Sequence, residues 1–142
     1  MRRLRLIVPL FAGLLFCLGC SGGTDERPPI EITGTVTLDG KPLKDGSIHF
    51  TSPKTGETAY ANLDGSGMYT ISFPKADINS AYEVTIKPPV VEEQDAMALA
   101  EKPQKKTETK IPAKYSDRTT SGLTTKIEQE GTTEANFDIK SK

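Results

Sequence analysis

The stretch Ile30 to Phe50, I-E-I-T-G-T-V-T-L-D-G-K-P-L-K-D-G-S-I-H-F, constrains the fold more than any other part of the chain. Ile30, Ile32, Val36 and Leu38 share one parity with Gly34 in series, and Glu31, Thr33, Thr35 and Thr37 share the other. A period of two marks a strand with one face in a core and one in water. Ile48 and Phe50 resume the pattern after Asp39-Gly40-Lys41-Pro42. The link from Asp39 to Gly46 is long for a tight hairpin, so these two strands are free to lie in different sheets.

The pattern continues along the chain. Alternation predicts strands over about Ser47 to Ser52, Glu57 to Leu63 and Met68 to Phe73, then around Tyr82, Val84 and Ile86. Leu123, Thr125 and Ile127 predict another, and Ala135, Phe137 and Ile139 a last one after a turn at Glu130-Gly131-Thr132. Asp64-Gly65-Ser66-Gly67 reads as a tight hairpin between the strands on either side, and Ile111 to Asp117 as an extended approach along a sheet edge. A charged insertion at about 89–110 interrupts the series. Its Ala, Leu, Met, Glu and Lys content favours a marginal helix over Glu92 to Lys102. Seven short strands with regular turn signals predict an all-β, antiparallel sandwich.

Before this body stands a leader. Met1 to Arg5 carries three arginines, Leu6 to Leu18 is apolar, and Gly19-Cys20-Ser21-Gly22-Gly23 follows, in the order of a secretory signal. At about 1.5 Å per residue the apolar run reaches about 20 Å, short of the roughly 30 Å hydrocarbon core, so it is expected to be cleaved. Leu18-Gly19-Cys20 resembles the bacterial lipobox, although Cys17 stands where that motif has Leu and Leu18 where it has a small residue. The resemblance implies a lipoprotein signal peptide over 1–19 and a multiply acylated Cys20, its lipid such as palmitate anchoring it to the membrane. Several acyl chains anchor stably where one does not. An ordinary secretory signal beside an unmodified thiol is the alternative. Ser21 after the cysteine resembles lipoproteins sorted to an outer membrane, which implies an extracytoplasmic place in the cell envelope. Residues 20–29 form the lipidated cysteine and a flexible tether rich in Gly, Pro and charge, and 30–142 the domain.

Composition excludes other classes. The chain has 18 Lys and Arg against 19 Asp and Glu, and loss of Arg2, Arg3 and Arg5 with the leader leaves a body near −4, so no nucleic-acid partner is expected. Cys17 and Cys20 are the only cysteines, which leaves no disulfide or thiolate metal site for the body.

G-T-V-T-L-D-G-K-P-L-K-D-G-S-I-H-F, followed by A-N-L-D-G-S-G-M-Y-T-I, resembles the transthyretin-like (prealbumin-like), carboxypeptidase regulatory-like domains. The likeness spans Gly34 to about Ile86, and I-P-A-K-Y-S-D resembles small bacterial lipoproteins built on such a domain. It implies a Greek-key β-sandwich of about seven strands and carries over no catalytic residue. The turn chemistry also stands alone: Gly40 and Gly65 permit positive φ, Pro42 presets φ, and Gly34 suggests a bulge or close sheet approach.

Few residues invite chemistry. His49, the only histidine, has the parity opposite to Ile48 and Phe50 and is expected at the surface. Asp39, Asp45 and Asp64 sit one to a turn, where calcium would need six to eight ligands, so turn formation is the expected role. Tyr60, Tyr69, Tyr82 and Tyr115 could supply a stacking platform, but Tyr69 and Tyr82 share core parity. Lys102 to Lys110 is a basic run diluted by Glu and Thr. The expectation is a non-enzymatic protein with no catalytic, metal or cofactor site. Its role would be structural or protein-interacting, with a carbohydrate- or peptide-binding module as the alternative and an envelope protein or glycan as partner.

Overall fold

The computed structural model describes residues 27–91 and 110–142. The leader, Cys20 and the expected helix over Glu92 to Lys102 lie outside the described residues. Among those described, the strands are β1 (Ile30–Leu38), β2 (Lys41–Pro42), β3 (Ser47–Thr51), β4 (Thr58–Asn62), β5 (Met68–Phe73), β6 (Ser80–Lys87), β7 (Leu123–Ile127), β8 (Gly131–Glu134) and β9 (Phe137–Ile139). They form two sheets. One is built on β1, and the other runs in the order β4, β3, β6, β7.

β1 is the central strand of its sheet. β5 pairs antiparallel along its first half, with Ile30 opposite Phe73 and Thr35 opposite Met68, and β2 pairs along its end. On the other edge β8 and then β9 run parallel to it, with Ile32 opposite Thr133 and Leu38 opposite Ile139. The second sheet is antiparallel throughout: Ile48 faces Ala61 and Ile86, and Val84 faces Leu123. β1 and β3 therefore belong to different sheets, as the long link between them allows.

The parity read from the sequence decides which side chains fill the space between the sheets. Ile30, Ile32 and Val36 are buried from β1, Tyr69, Ile71 and Phe73 from β5, Tyr82, Val84 and Ile86 from β6. Phe50 sits at the middle, fully buried, 5.8 Å from the ring of Tyr69 and 6.1 Å from that of Phe137 in an edge-on contact. Full burial of side chains this size contributes about 1.5–3 kcal/mol each. No buried side-chain nitrogen or oxygen among the described residues lacks a hydrogen-bond partner.

Gly34 explains why the parallel edge is split. The carbonyl oxygen of Ala135 lies 1.9 Å from where a Cβ on Gly34 would stand, so β1 and the β8 to β9 link touch backbone to backbone. Tyr69 Oη donates to that same oxygen at 2.5 Å, and Ala135 N–H donates to Thr33 O at 2.9 Å. Asn136 bridges the gap, its Oδ1 accepting from Thr35 N–H at 2.8 Å. The expected last strand around Ala135, Phe137 and Ile139 is thus broken at Ala135-Asn136, and the expected turn at Gly131 already belongs to β8. The expected all-antiparallel pairing also fails at this edge.

Three more expectations are corrected. Asp64-Gly65-Ser66-Gly67 closes tightly, with Asp64 N–H donating to Met68 O at 3.0 Å, but β4 and β5 then diverge into different sheets, so the turn is a corner and not a hairpin. Its left-handed residue is Gly67 (φ 79°), packed 2.6 Å from Val36 O at its would-be Cβ, and not Gly65. The segment Ile111 to Asp117 is not extended: Ala113–Ser116 forms a 3-10 turn, followed by the short helix α1 (Arg118–Ser121). Asp117 caps that helix by accepting from Thr119 N–H, and Gly122 ends it at φ 63°.

The chain direction defines two poles. Ile30, Phe73, Thr51, Thr58 and Gly131 lie at the pole where residues 27–29 enter the first strand. Leu38, Met68, Ser47, Asn62 and Lys87 lie towards the opposite pole.

Candidate functional site

Arg27 and Pro28, expected to belong to a flexible tether, are fastened to the domain. Pro28 O accepts from Ala76 N–H at 2.9 Å, and the Arg27 guanidinium holds the Glu57 carboxylate in a two-point grip, Nη2 to Oε1 being 2.8 Å and Nη1 meeting Oε2. Bidentate pairing fixes direction as well as contact. Nearby, buried Asp77 takes Lys54 Nζ at 3.1 Å, and its N–H donates to Tyr82 Oη at 2.8 Å. Residues 27–29 thus enter β1 along a defined path.

His49 lies on the outer face of β3, half-buried, as its parity predicts. Its ring stacks on Tyr60 at 5.3 Å, and its Nε2 lies 2.9 Å from Ser47 Oγ. Ser47 gives its one proton to Pro88 O at 2.8 Å, so it accepts from His49, and Nε2 is a donor already in use. Burial, with the Lys87 ammonium adding to it, lowers the His49 pKa below the ordinary imidazole value. A neutral ring whose Nε2 proton is engaged by a serine that faces no carboxylate is a packing element, unlike the base of a catalytic triad.

The three turn aspartates do not converge. Asp64 Oδ1 accepts from Ser66 N–H, Ser66 Oγ and Met68 N–H, all within 2.8 Å, and Asp39 Oδ1 accepts from Ser141 N–H at 3.2 Å. Among the described residues no group of three or more His, Cys, Asp or Glu side chains is placed to hold a metal ion. A carboxylate that sequence reasoning passed over has as many donors as Asp64: Asp138 meets Lys140 Nζ, accepts from Thr37 Oγ1 at 2.7 Å and from Gly40 N–H at 3.0 Å. Those donors, Lys140 first, pull its pKa down to about 2.

Asp39, Asp64 and Asp117 are lowered in the same direction by their own serine, threonine and backbone donors. An aspartate depressed in the folded state stabilises it above the unfolded pKa of about 3.9, and that stability is lost as pH falls through the folded value. Melting temperature is therefore expected to drop between pH 4 and about 2, and Asp138→Asn to shallow the slope. An identical slope in Asp138→Asn would remove Asp138 from the explanation.

Tyr69 and Tyr82 lie inside as their parity predicts, and Tyr115 joins them from the 3-10 turn. Only Tyr60, 51% exposed beside His49, offers a ring face to solvent. Elsewhere β6 and the segment of the 3-10 turn and α1 border an open hollow of about 440 Å³ lined by Glu83, Lys87, Ser116, Asp117, Arg118 and Thr119. Arg118 Nε donates to Glu83 Oε2 at 2.7 Å across it. In its lining Thr119 Oγ1 also donates to Asp117 Oδ1 at 2.5 Å, within the cap of α1.

No protein-family model and no curated protein matches the chain. Among the described residues no helix is long and apolar enough to cross a membrane.

Proposed function

We propose that the protein is a lipid-anchored envelope module: a Greek-key β-sandwich of the transthyretin-like, carboxypeptidase regulatory-like kind, held at a membrane through acylated Cys20 and serving a structural or protein-interaction role without catalysis. The observation that carries this is Leu18-Gly19-Cys20 closing an arginine-led apolar leader and followed by a tether. The clasp of Arg27 on Glu57 supports it, because a fixed tether root is what a surface-anchored domain needs to hold its orientation. Only Ser21 to Glu26 remains between lipid and clasp, six residues that span at most about 20 Å. The domain would stand close to the bilayer with its opposite pole outward. Ser21 favours an outer membrane where the cell has one.

Labelled palmitate is expected to enter the full chain and to vanish from Cys20→Ser, with the variant released from the membrane fraction. Unchanged labelling in Cys20→Ser would defeat the anchor.

The exposed Tyr60 ring stacked on His49 supports a second reading, a carbohydrate- or peptide-binding module. An array of neutral glycans and peptides probed with the detergent-solubilised protein and with Tyr60→Ala separates the two. Binding by the native protein that Tyr60→Ala abolishes favours the module.

A further inference from the structure

The second sheet ends in an open strand. β4 pairs with β3 on one side only and is the outermost strand of its sheet. The register fixes which of its main-chain groups are left over. Ser52 N–H donates to Glu57 O and Leu63 N–H to Gly46 O, both at 2.9 Å, and these bonded pairs bracket the ladder between β3 and β4. Bonded and non-bonded pairs alternate in an antiparallel ladder, so Ala59 and Ala61 turn their N–H and C=O groups to β3, and Thr58, Tyr60 and Asn62 turn theirs away. Among the described residues those outward groups have no partner.

Proteins guard such edges with charge, proline or a bulge, or cover them. β7, at the other side of this sheet, carries Lys126. At the edge of the first sheet Asp64 engages the outward main chain of Met68, accepting from its N–H at 2.8 Å and donating to its O at 3.0 Å. β4 reads Thr-Ala-Tyr-Ala-Asn and has none of these devices. Two side-chain features flank its edge, one on each face. On the outer face His49 covers one side of the Tyr60 ring, the planes 24° apart, and the other side turns to the open edge. On the inner face Ala59 and Ala61 are small and only half-buried, and a hollow of about 210 Å³ opens beside Ala59, lined by Glu57, Thr58, Ala59, Phe73, Pro74 and Lys75.

From these observations we infer that β4 is a docking edge for an extended peptide segment of a partner protein, which joins the four-stranded sheet as an added antiparallel strand, an aromatic side chain opposite Tyr60 and an aliphatic one in the hollow beside Ala59. The inference rests on the peptide-binding reading above and deepens it. The edge itself selects a peptide over a glycan. Its outward donor and acceptor pairs recur at every second residue, about 6.8 Å apart, and another extended chain repeats the same pairs at the same distance. A sugar chain has no repeat of N–H beside C=O. Side chains alternate along the added strand, so the residue paired with Tyr60 meets the open ring and the residue after it, opposite Ala59, meets the hollow. A second copy of this chain would also pair antiparallel, and its entry pole would then point the opposite way, which two copies anchored in one membrane cannot do. That choice against a second copy rests on the proposed anchor; the strand geometry does not.

The test is fluorescence anisotropy of the labelled peptide Ser-Thr-Val-Phe-Leu-Thr-Ser titrated with the detergent-solubilised full-length protein. Pairing over about five residues is a small interface, so a Kd of about 10–100 μM is expected. N-methylation of the Phe removes the N–H aimed at Tyr60 O and is expected to weaken binding about tenfold or more. N-methylation of the preceding Val, whose N–H points away from β4, is expected to leave affinity within about threefold. Tyr60→Ala is expected to cost about three- to tenfold while keeping that contrast, and Thr124→Ala on β7 to leave affinity unchanged. Bound peptide is expected to slow amide exchange at Thr58, Tyr60 and Asn62 and not at Ala59 and Ala61. Absence of binding at about 1 mM peptide overturns the proposal. Equal loss in the two methylated peptides, with binding still sensitive to Tyr60→Ala, overturns strand addition and leaves the peptide-binding reading standing. Binding of chitohexaose in place of the peptide overturns both. A dimer in sedimentation that the peptide splits assigns the edge to a second copy and overturns the partner.

Discussion

Gly34→Ala is expected to be among the most damaging single-methyl additions in the domain. The new Cβ would stand 1.9 Å from Ala135 O and 2.9 Å from Tyr69 Oη, and the first of these neighbours is backbone that cannot rotate away. Over-packing of this kind costs about 1–3 kcal/mol and more where the backbone must move. Here the movement would separate β1 from the β8 to β9 link and strip Tyr69 of its acceptor, leaving a buried hydroxyl unpaired at a further cost of about 1–3 kcal/mol. Each kcal/mol lost lowers the melting temperature of a domain this size by roughly 4–8 °C.

Two controls make the expectation specific. Gly65→Ala meets nothing within 4 Å and is expected to melt with the native protein. Tyr69→Phe removes one of the two groups that Gly34→Ala displaces, so the double variant should be less unstable than the two single losses added together. Strict additivity would show that the Ala135 carbonyl is not the shared partner. Tyr69 also sets the behaviour in base. Burial raises its pKa above the ordinary phenol value, so the folded state holds its proton where the unfolded chain has lost it. That contribution is full below about pH 10 and is lost as pH rises beyond it.

Phe50→Ala is the second large effect. The ring is fully buried between the sheets against Tyr69 and Phe137, and its removal opens a cavity where both sheets meet, at a cost of about 3–5 kcal/mol. Domains of this size hold only about 5–15 kcal/mol, so the variant is expected to be at or near the edge of folding at physiological temperature. Its neighbour provides the contrast. His49→Ala lies one residue away on the outer face and loses a stacked ring and one hydrogen bond without a core cavity. Urea denaturation is expected to separate the two midpoints widely, and coincident midpoints would contradict the assignment of inner and outer faces on β3.

Much of this geometry is legible in the residues because it is local. Alternation alone gives β1 its limits at Ile30–Leu38 and β5 its limits at Met68–Phe73, and it puts His49 outside and Phe50 inside. The close approach at Gly34 is likewise foreshadowed by a glycine in an otherwise apolar series. What is not legible depends on partners distant in sequence. Asp64 to Gly67 carries the chemistry of a tight turn, yet nothing in those four residues says that the strands leaving it join different sheets. The parallel pairing of β8 and β9 with β1 is decided by contacts about 100 residues apart, as between Thr35 and Asn136.

Other features were within reach of the sequence. Asp117 and Gly122 bracket Arg118–Ser121 as an N-cap and a left-handed stop, a signal for the short helix that the neighbouring Pro112 and Tyr115 obscure. The clasp of Arg27 on Glu57 has no local signature, because its two halves meet only once the sheets are assembled.

The proposed anchoring of this two-sheet domain through a lipid on Cys20 is tested most directly by the intact mass of the protein extracted from membranes. The expected species is a polypeptide beginning at Cys20 and heavier than its sequence by a multiply acylated glyceryl group, with the extra mass absent from Cys20→Ser. A chain beginning at any other residue, or an unmodified Cys20 at the N-terminus, would contradict it.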